Sequence, residues 1–144
     1  MFARTMAFCV FLTAAISGGS FAQTNDTSQP VLQIELNTLN DVEAACRLTF
    51  LAENKTEAEI EQAVFETVIF DGSGGVVALS LFDFRALPLG KPRVRQFDVQ
   101  GISCSSVGRV LINGASTCTT NGEKNTMCER ALSLSSRISV ELLG

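Results

Sequence analysis

The chain has 144 residues, a formal net charge of −4 and no histidine, tyrosine or tryptophan. Without histidine it has no Ser-His-Asp or Cys-His nucleophile, no histidine metal ligand and no histidine pH switch. The acidic balance argues against a nucleic-acid-binding protein, which normally carries a basic face.

The first 22 residues have the pattern of a signal peptide. Arg4 gives a positive start, Met6 to Ile16 form an apolar run too short to span a bilayer, and Ser20-Phe21-Ala22 give a small-x-small cleavage site. Gln23 follows the cut, whereas a bacterial lipid anchor needs a cysteine there. We expect a signal peptide at 1–22, a flexible polar linker at 23–30 and one domain at 31–144 that is periplasmic or secreted, with no membrane anchor after cleavage.

Alternation of apolar and polar residues predicts two strands early in this domain. Every second residue is apolar first from Leu32 to Leu36 and then from Cys46 to Ala52. The segment from Leu39 to Ala45 between them is predicted to be a short connection with one helical turn. Each strand would bury one face.

The segment at 57–69 permits two interpretations. Thr56-Glu57-Ala58-Glu59 fits a helix capping box, and Ile60, Val64 and Val68 recur at helical spacing. The end of the segment is rich in β-branched and aromatic residues and runs directly into a glycine-rich turn at 71–75. The sequence favours a strand, with a helix at 57–69 as the alternative.

The second half of the domain continues the strand pattern. Val77, Leu79 and Leu81 alternate in a return strand, and the proline-containing segment at 84–92 is predicted to cross between sheets. Further strands are expected around Phe97 and Val99, around Val110 and Ile112, and over 138–142. The predicted fold class is all-β, a single immunoglobulin-like β-sandwich of about seven strands.

Four cysteines remain after cleavage, since Cys9 leaves with the leader. An even number outside the cytoplasm favours disulfides, and the short paired spacings of redox and zinc sites are missing. Sequence alone cannot choose among the possible pairings. The strand interpretation favours Cys46–Cys104, as an inter-sheet bridge, and Cys118–Cys128, which bound one polar loop. No cofactor and no metal is expected.

Parts of the chain are similar to a known family. Residues 46–112 resemble the FxLYD-type immunoglobulin-like modules of bacterial secreted proteins, through Asn54-Lys55-Thr56, Ile60, Phe65-Glu66-Thr67-Val68, Phe70-Asp71 before Val76-Val77, Phe97-Asp98-Val99 and Cys104-Ser105-Ser106-Val107. The mature chain also resembles small exported proteins of alphaproteobacteria, through Ser135-Ser136-Arg137 and Val140-Glu141-Leu142-Leu143-Gly144. The resemblance implies a β-sandwich and brings no catalytic residues.

Basic residues concentrate in one segment of this acidic chain: Arg85, Lys91, Arg93 and Arg95. Such a patch suits an anionic partner, either an envelope component or a protein. A charged edge that discourages strand aggregation is the alternative explanation. On a strand, Arg93 and Arg95 share a face, so we expect them to act together, and as exposed charges to contribute little to stability.

Carboxylates are the remaining route to enzyme chemistry. Glu57, Glu59 and Glu61 most simply form a charged surface, although paired carboxylates carry out glycoside hydrolysis. Asp71 begins a glycine turn that has too few carboxylates for a calcium loop. We therefore predict a non-enzymatic secreted or periplasmic binding or accessory module; the alternative is a small carboxylate-based hydrolase.

The leader should be removed after Ala22. Intact mass of the exported protein tests this directly, and the expected species begins at Gln23. A protein that retains residues 1–22, or that carries a lipid, would contradict the prediction.

Overall fold

The computed structural model describes residues 29–144, so that the predicted signal peptide and residues 23–28 of the linker lie outside the described part. In the described part, nine strands and one short α-helix form a two-sheet sandwich, which confirms the predicted fold class with more strands than the seven expected. The elements are β1 (Val31–Val42), β2 (Ala45–Lys55), β3 (Ile60–Phe70), β4 (Val76–Leu87), β5 (Arg93–Gln100), β6 (Arg109–Thr120), β7 (Glu123–Lys124), α1 (Met127–Arg130), β8 (Leu132–Ser136) and β9 (Glu141–Leu143).

The two sheets have the strand orders β5-β2-β1-β8 and β4-β3-β6, with β7 and β9 both paired to β6. Neighbours are antiparallel, except that β8 runs parallel to β1 and β9 parallel to β6. Strands β4 and β5 lie at the edges of their sheets and contact each other. One margin of the sandwich is therefore made by these two edge strands. No helix within residues 29–144 has the length and apolar character needed to cross a membrane.

The core confirms the alternation predicted for the first two strands. From β1 it takes Leu32, Ile34 and Leu36, and every one of these side chains is fully buried. From β2 it takes the series Cys46, Leu48, Phe50 and Ala52, also fully buried. Apolar side chains at every second position bury one face of a strand, and burial of that face drives the packing of the sheets.

The segment at 57–69 is a strand from Ile60 onward, and the helical alternative is wrong. Strand β3 is central in its sheet, with β4 on one side and β6 on the other, so both of its edges are hydrogen-bonded. Thr56, the proposed helix cap, is instead part of a tight turn, because its hydroxyl donates to Asn54 Oδ1 (2.6 Å). Tertiary pairing on both edges outweighs a local helical pattern here.

Two predicted connections and one predicted strand differ from the structure. Strand β1 continues to Val42 and turns tightly through Glu43, which has φ of 50°, so there is no helical turn between β1 and β2. Strand β4 continues to Leu87, well into the predicted 84–92 crossover. The single strand expected over 138–142 is wrong, because the chain bends there and passes from β8 in one sheet to β9 in the other.

Aromatic side chains join the two sheets beneath the β4–β5 margin. The ring of Phe50 on β2 meets Phe82 and Phe84 on β4 edge-on, at centroid distances of 6.0 and 5.5 Å. Phe97 on β5 stacks on Phe82 at 4.2 Å, and Phe65 on β3 meets Phe84 at 5.5 Å. Such pairs contribute stabilisation beyond the area they bury. This aromatic cluster comprises Phe50, Phe65, Phe82, Phe84 and Phe97.

The cluster decides which face of β4 points inward. Phe82 and Phe84 are buried, and therefore Leu79 and Leu81, one position out of phase, point outward with exposed fractions of 59% and 60%. The predicted alternation of Val77, Leu79 and Leu81 is present, but these residues form the outer face of the strand.

Asn54 is a fully buried polar residue near the end of β2. Its Nδ2 donates to the carbonyls of Ala58 (2.9 Å) and Leu87 (2.8 Å), while its Oδ1 accepts from the main-chain N–H and the hydroxyl of Thr56. Its own carbonyl accepts from Gly90 N (2.7 Å). One side chain thus fixes the β2–β3 turn to the end of β4 in the opposite sheet.

Replacing Asn54 with alanine should destabilise the protein by about 2–4 kcal/mol, because buried carbonyls lose their donors. Urea unfolding monitored by circular dichroism measures the change. The matched control is Asn113→Ala on β6, where the asparagine is exposed and the expected change is below about 0.5 kcal/mol. Equal effects of the two substitutions would show that the Asn54 network does not hold the sheets together.

Candidate binding groove at the margin of the sandwich

The four cysteines form the two disulfides expected from the sequence, Cys46–Cys104 and Cys118–Cys128. The first is not an inter-sheet bridge as expected, because Cys104 lies in the turn after β5, beside the β2–β5 pair. It fastens the β5–β6 connection to β2. The second joins α1 to β6. Both disulfides tie connecting segments to strands, and neither leaves a free thiol for chemistry.

Two of the four basic candidate residues, Arg85 and Arg95, line a groove between edge strands β4 and β5. The groove has a volume of about 470 Å³. Side chains from both strands line it: Leu81, Asp83 and Arg85 from β4, and Val94, Arg95, Gln96 and Phe97 from β5. Phe97 belongs to the aromatic cluster, so the groove has a rigid apolar wall and a charged rim.

Arg95 holds the two sides of this groove together. Its Nε donates to the carbonyl of Phe84 (2.5 Å) and a terminal nitrogen donates to the carbonyl of Ala86 (3.0 Å). Burial, together with the nearby positive charges of Arg85 and Arg93, lowers the pKa of its guanidinium. The guanidinium remains charged, since arginine does not lose its proton in proteins. Arg95 is therefore a clasp between the sheets as well as a cation of the groove.

Arg85 stands on the rim, at an irregularity of β4. Its φ of 59° lies in the left-handed region, and the Asp83 carboxylate supports this conformation by accepting from the Arg85 main-chain N–H (2.7 Å). The register of β4 against β3 shifts at the same place. A bulge of this kind re-aims a side chain at a sheet edge. It leaves the Arg85 guanidinium exposed.

The other two members of the predicted basic patch lie on the approach to the groove. Lys91 is exposed in the turn before β5, and Arg93 is half-buried at the start of that strand. Among residues 29–144, the Arg93 side chain hydrogen-bonds only to the neighbouring Pro92 carbonyl. Arg85 and Arg93 therefore lie near enough to Arg95 for their charges to act on its guanidinium. Lys91 is close to Arg93 along the chain.

Carboxylates neutralise these cations only in part, because one carboxylate, that of Asp83, lines the groove with the two guanidinium groups of Arg85 and Arg95. Within the described residues, two ion pairs have nitrogen–oxygen distances of 4.0 Å or less, Arg47–Asp98 and Lys55–Glu53, and neither involves the groove. The Arg47 guanidinium, through its hydrogen bonds and its charge, holds the pKa of Asp98 below its ordinary value. The groove rim carries excess positive charge in an acidic protein.

The acidic residues considered for hydrolysis do not converge. Glu59 accepts from the main-chain N–H of Leu89 (3.1 Å), whereas Glu61 accepts from that of Gly122 (2.9 Å) on a different part of the surface. Glu57 lies exposed in the β2–β3 turn, before both of them in the chain. Two other carboxylates, Glu35 and Glu53, share a shallow depression on the outer face of the first sheet, and each already has a partner, Asn37 and Lys55 respectively.

The Asp71 carboxylate stabilises the turn that begins at this residue. Its carboxylate accepts from the Ser73 hydroxyl (2.7 Å) and from the main-chain N–H groups of Ser73 and Gly75 (2.9 and 2.8 Å). These hydrogen bonds, that of the Ser73 side chain first, hold its pKa below the ordinary value, so it is ionised at neutral pH. No group of three or more metal-ligating side chains lies together in residues 29–144.

Sequence reasoning missed the apolar part of the groove. Val94 and Leu81 are exposed apolar residues on opposite walls, with exposed fractions of 59% and 60%. The signal that could have revealed Leu81 is a change of phase in β4, where Phe82 and Phe84 compete with Leu79 and Leu81 for the inward face.

No protein-family model matches the chain, and no curated protein matches it. Among solved structures, IrmA from Escherichia coli is similar, with a TM-score of 0.61 and 13% sequence identity over 74% of this chain and 92% of that chain. At this identity the similarity shows the fold, a β-sandwich, and carries no residue from one protein to the other.

Arg95 differs from Arg93 because its side chain donates to two carbonyls of β4, so we now expect the two arginines to contribute differently to stability. Arg95→Met should lower the free energy of unfolding by about 1–3 kcal/mol, because two carbonyls lose a charged donor. Arg93→Met, the matched variant two residues earlier on the same strand, should change it by less than about 0.5 kcal/mol.

Urea denaturation measures the free energy of unfolding of both variants. Arg95→Lys should not restore stability, because an ammonium cannot reach both carbonyls as the planar guanidinium fork does. If Arg95→Met and Arg93→Met unfold at the same urea concentration, Arg95 is not a clasp.

Proposed function

We propose that this protein is a non-enzymatic binding or accessory module that acts outside the cytoplasm and contacts an anionic partner at the β4–β5 groove. The observation that carries the proposal is the set of guanidinium groups at the groove rim without a carboxylate within 4.0 Å among residues 29–144. Unpaired cations on an otherwise acidic chain attract anions selectively at that position.

The groove supports contact better than chemistry. The charged groups that line it are Arg85, Arg95 and Asp83. Arginines bind anions but do not transfer protons at neutral pH, and the Asp83 carboxylate already accepts hydrogen bonds from Arg85 and Gln62. The chain has no histidine, and its acidic side chains are spread over separate turns. Both disulfides are of the kind that persists in oxidising compartments, which supports a periplasmic or secreted location.

Separate roles follow for the basic residues. Arg85, Lys91 and Arg93 are the proposed contacts, because their cationic ends are not committed to holding strands together. Arg95 holds β5 against β4 through its hydrogen bonds and contributes a further positive charge to the groove. The partner would present carboxylate or phosphate groups, on an envelope component or a protein, beside an apolar portion that packs on Leu81 and Val94.

The double substitution Arg85→Ser/Arg93→Ser tests this proposal. It should weaken capture of the native partner from the envelope fraction about fivefold, since exposed charges contribute modestly to each contact. Binding by the wild type should also weaken as salt rises from about 20 to about 150 mM, because the screening length shortens to about 8 Å.

The matched control is Lys124→Ser/Arg130→Ser, which removes two exposed cations far along the chain from the groove. It changes net charge by the same amount and should leave capture unchanged. If both double variants weaken capture equally, net charge alone governs binding and the groove is not the site. Unfolding curves that overlay the wild type verify that the variants are folded.

A further inference from the structure

Strand β4 has one open edge of unusual composition. The segment from Val76 to Phe82 carries no charge and no proline, while β5, the edge strand beneath it, carries Arg93, Arg95 and Asp98. Natural edge strands are normally protected by charges, prolines or bulges. In β4, features that hinder pairing with another strand are found only near its C-terminal end. There Arg95 donates hydrogen bonds to two main-chain carbonyls and a bulge lies at Arg85.

Hydrogen bonds at the hairpin fix which main-chain groups of β4 face this edge. The Asp71 N–H donates to Gly75 O across the hairpin (2.8 Å), and the carbonyl on the other side of that peptide, Phe70 O, accepts from Gly108 N (2.8 Å). Main-chain groups alternate in direction along a strand. Odd-numbered residues of β3 therefore bond towards β4.

The partners of those odd-numbered residues are Ala78, Ser80 and Phe82. Leu79, Leu81 and Asp83 lie opposite the even-numbered residues Val68, Glu66 and Val64, so their main-chain groups point to the free edge. No side chain of residues 29–144 hydrogen-bonds to the main chain of these three residues. The edge combines unpaired hydrogen-bonding groups with two outward leucines.

We propose that this edge pairs with the same edge of a second copy of the chain, antiparallel about a two-fold axis at Ser80. A two-fold axis at this residue places Leu79 of one copy opposite Leu81 of the other, twice. Four exposed leucine side chains then cover one another on the outer face of a continuous sheet. No charge faces a like charge across the paired segment.

Charge complementarity supports the same register at its ends. Arg85 of one copy comes opposite Gly75 of the other, within the turn that begins at Asp71. The Asp71 carboxylate lies 3.1 Å from the position that a Cβ on Gly75 would occupy, so it covers that face of the turn. Each Arg85 therefore lies beside an ionised Asp71 of the other copy.

One strand pair with four leucines makes an interface smaller than the standard size, so the dimer is weak and forms in the micromolar range or above. Pairing does not require the proposed anionic partner, but it covers Leu81 and Arg85, so the second copy and that partner would compete for this end of the groove. Lys91 and Arg93 lie outside the paired segment.

Sedimentation velocity of the mature protein from about 1 µM to about 1 mM tests the proposal. The wild type should shift from monomer to dimer, and Leu81→Lys should remain monomeric throughout. Val94→Lys is the control, since Val94 is as exposed as Leu81 but lies on β5, and this variant should dimerise as the wild type does. A wild type that stays monomeric, or a Val94→Lys variant that also dissociates, would overturn the proposal.

A mixture of two variants tests the register. Leu79→Glu and Leu81→Lys should each be monomeric alone. Mixing them should restore a dimer, because the glutamate introduced in one copy then faces the lysine introduced in the other. Failure of the mixture to associate would overturn the axis at Ser80. Both positions are more than half exposed, and thermal unfolding should confirm that the variants fold.

Discussion

The packing of the phenylalanine cluster decides which residues of β4 face inward. The groove and the exposed leucines of β4 both depend on that choice. Phe82 and Phe84 meet Phe50 and Phe97 across the space between the sheets. Aromatic side chains bury more apolar area than leucine, so they take the inward face when the two compete. Because a strand has period two, the neighbouring leucines must then face solvent. The apolar outer face of β4 is a consequence of a well-packed interior.

The same cluster also explains the form of the groove. Phe97 is drawn inward against Phe82, which brings the start of β5 close to the end of β4. Arg95, two residues before Phe97 and on the same face, consequently reaches the carbonyls of Phe84 and Ala86. The clasp closes one half of the β4 edge and leaves the other half open. The arginines therefore lie where the end of β4 approaches the start of β5, and the exposed leucines lie along the part of β4 that is farther from β5.

Much of this architecture is readable from the sequence, and the failures have physical causes. The buried faces of β1 and β2 follow from plain alternation, and β3 is recognisable from its β-branched residues. In β4 the apolar residues change phase between Leu81 and Phe82, so alternation alone cannot choose the inward face. The basic patch is visible as a cluster, but the different roles of Arg93 and Arg95 depend on how β5 packs under β4, which no local pattern contains.

Amide hydrogen exchange along β4, measured residue by residue in dilute solution, tests the register most directly. Slow exchange is expected at Ala78, Ser80 and Phe82, which bond to β3, and fast exchange at Leu79, Leu81 and Asp83, which face the open edge. The reverse alternation, or uniform protection along the strand, would contradict this register.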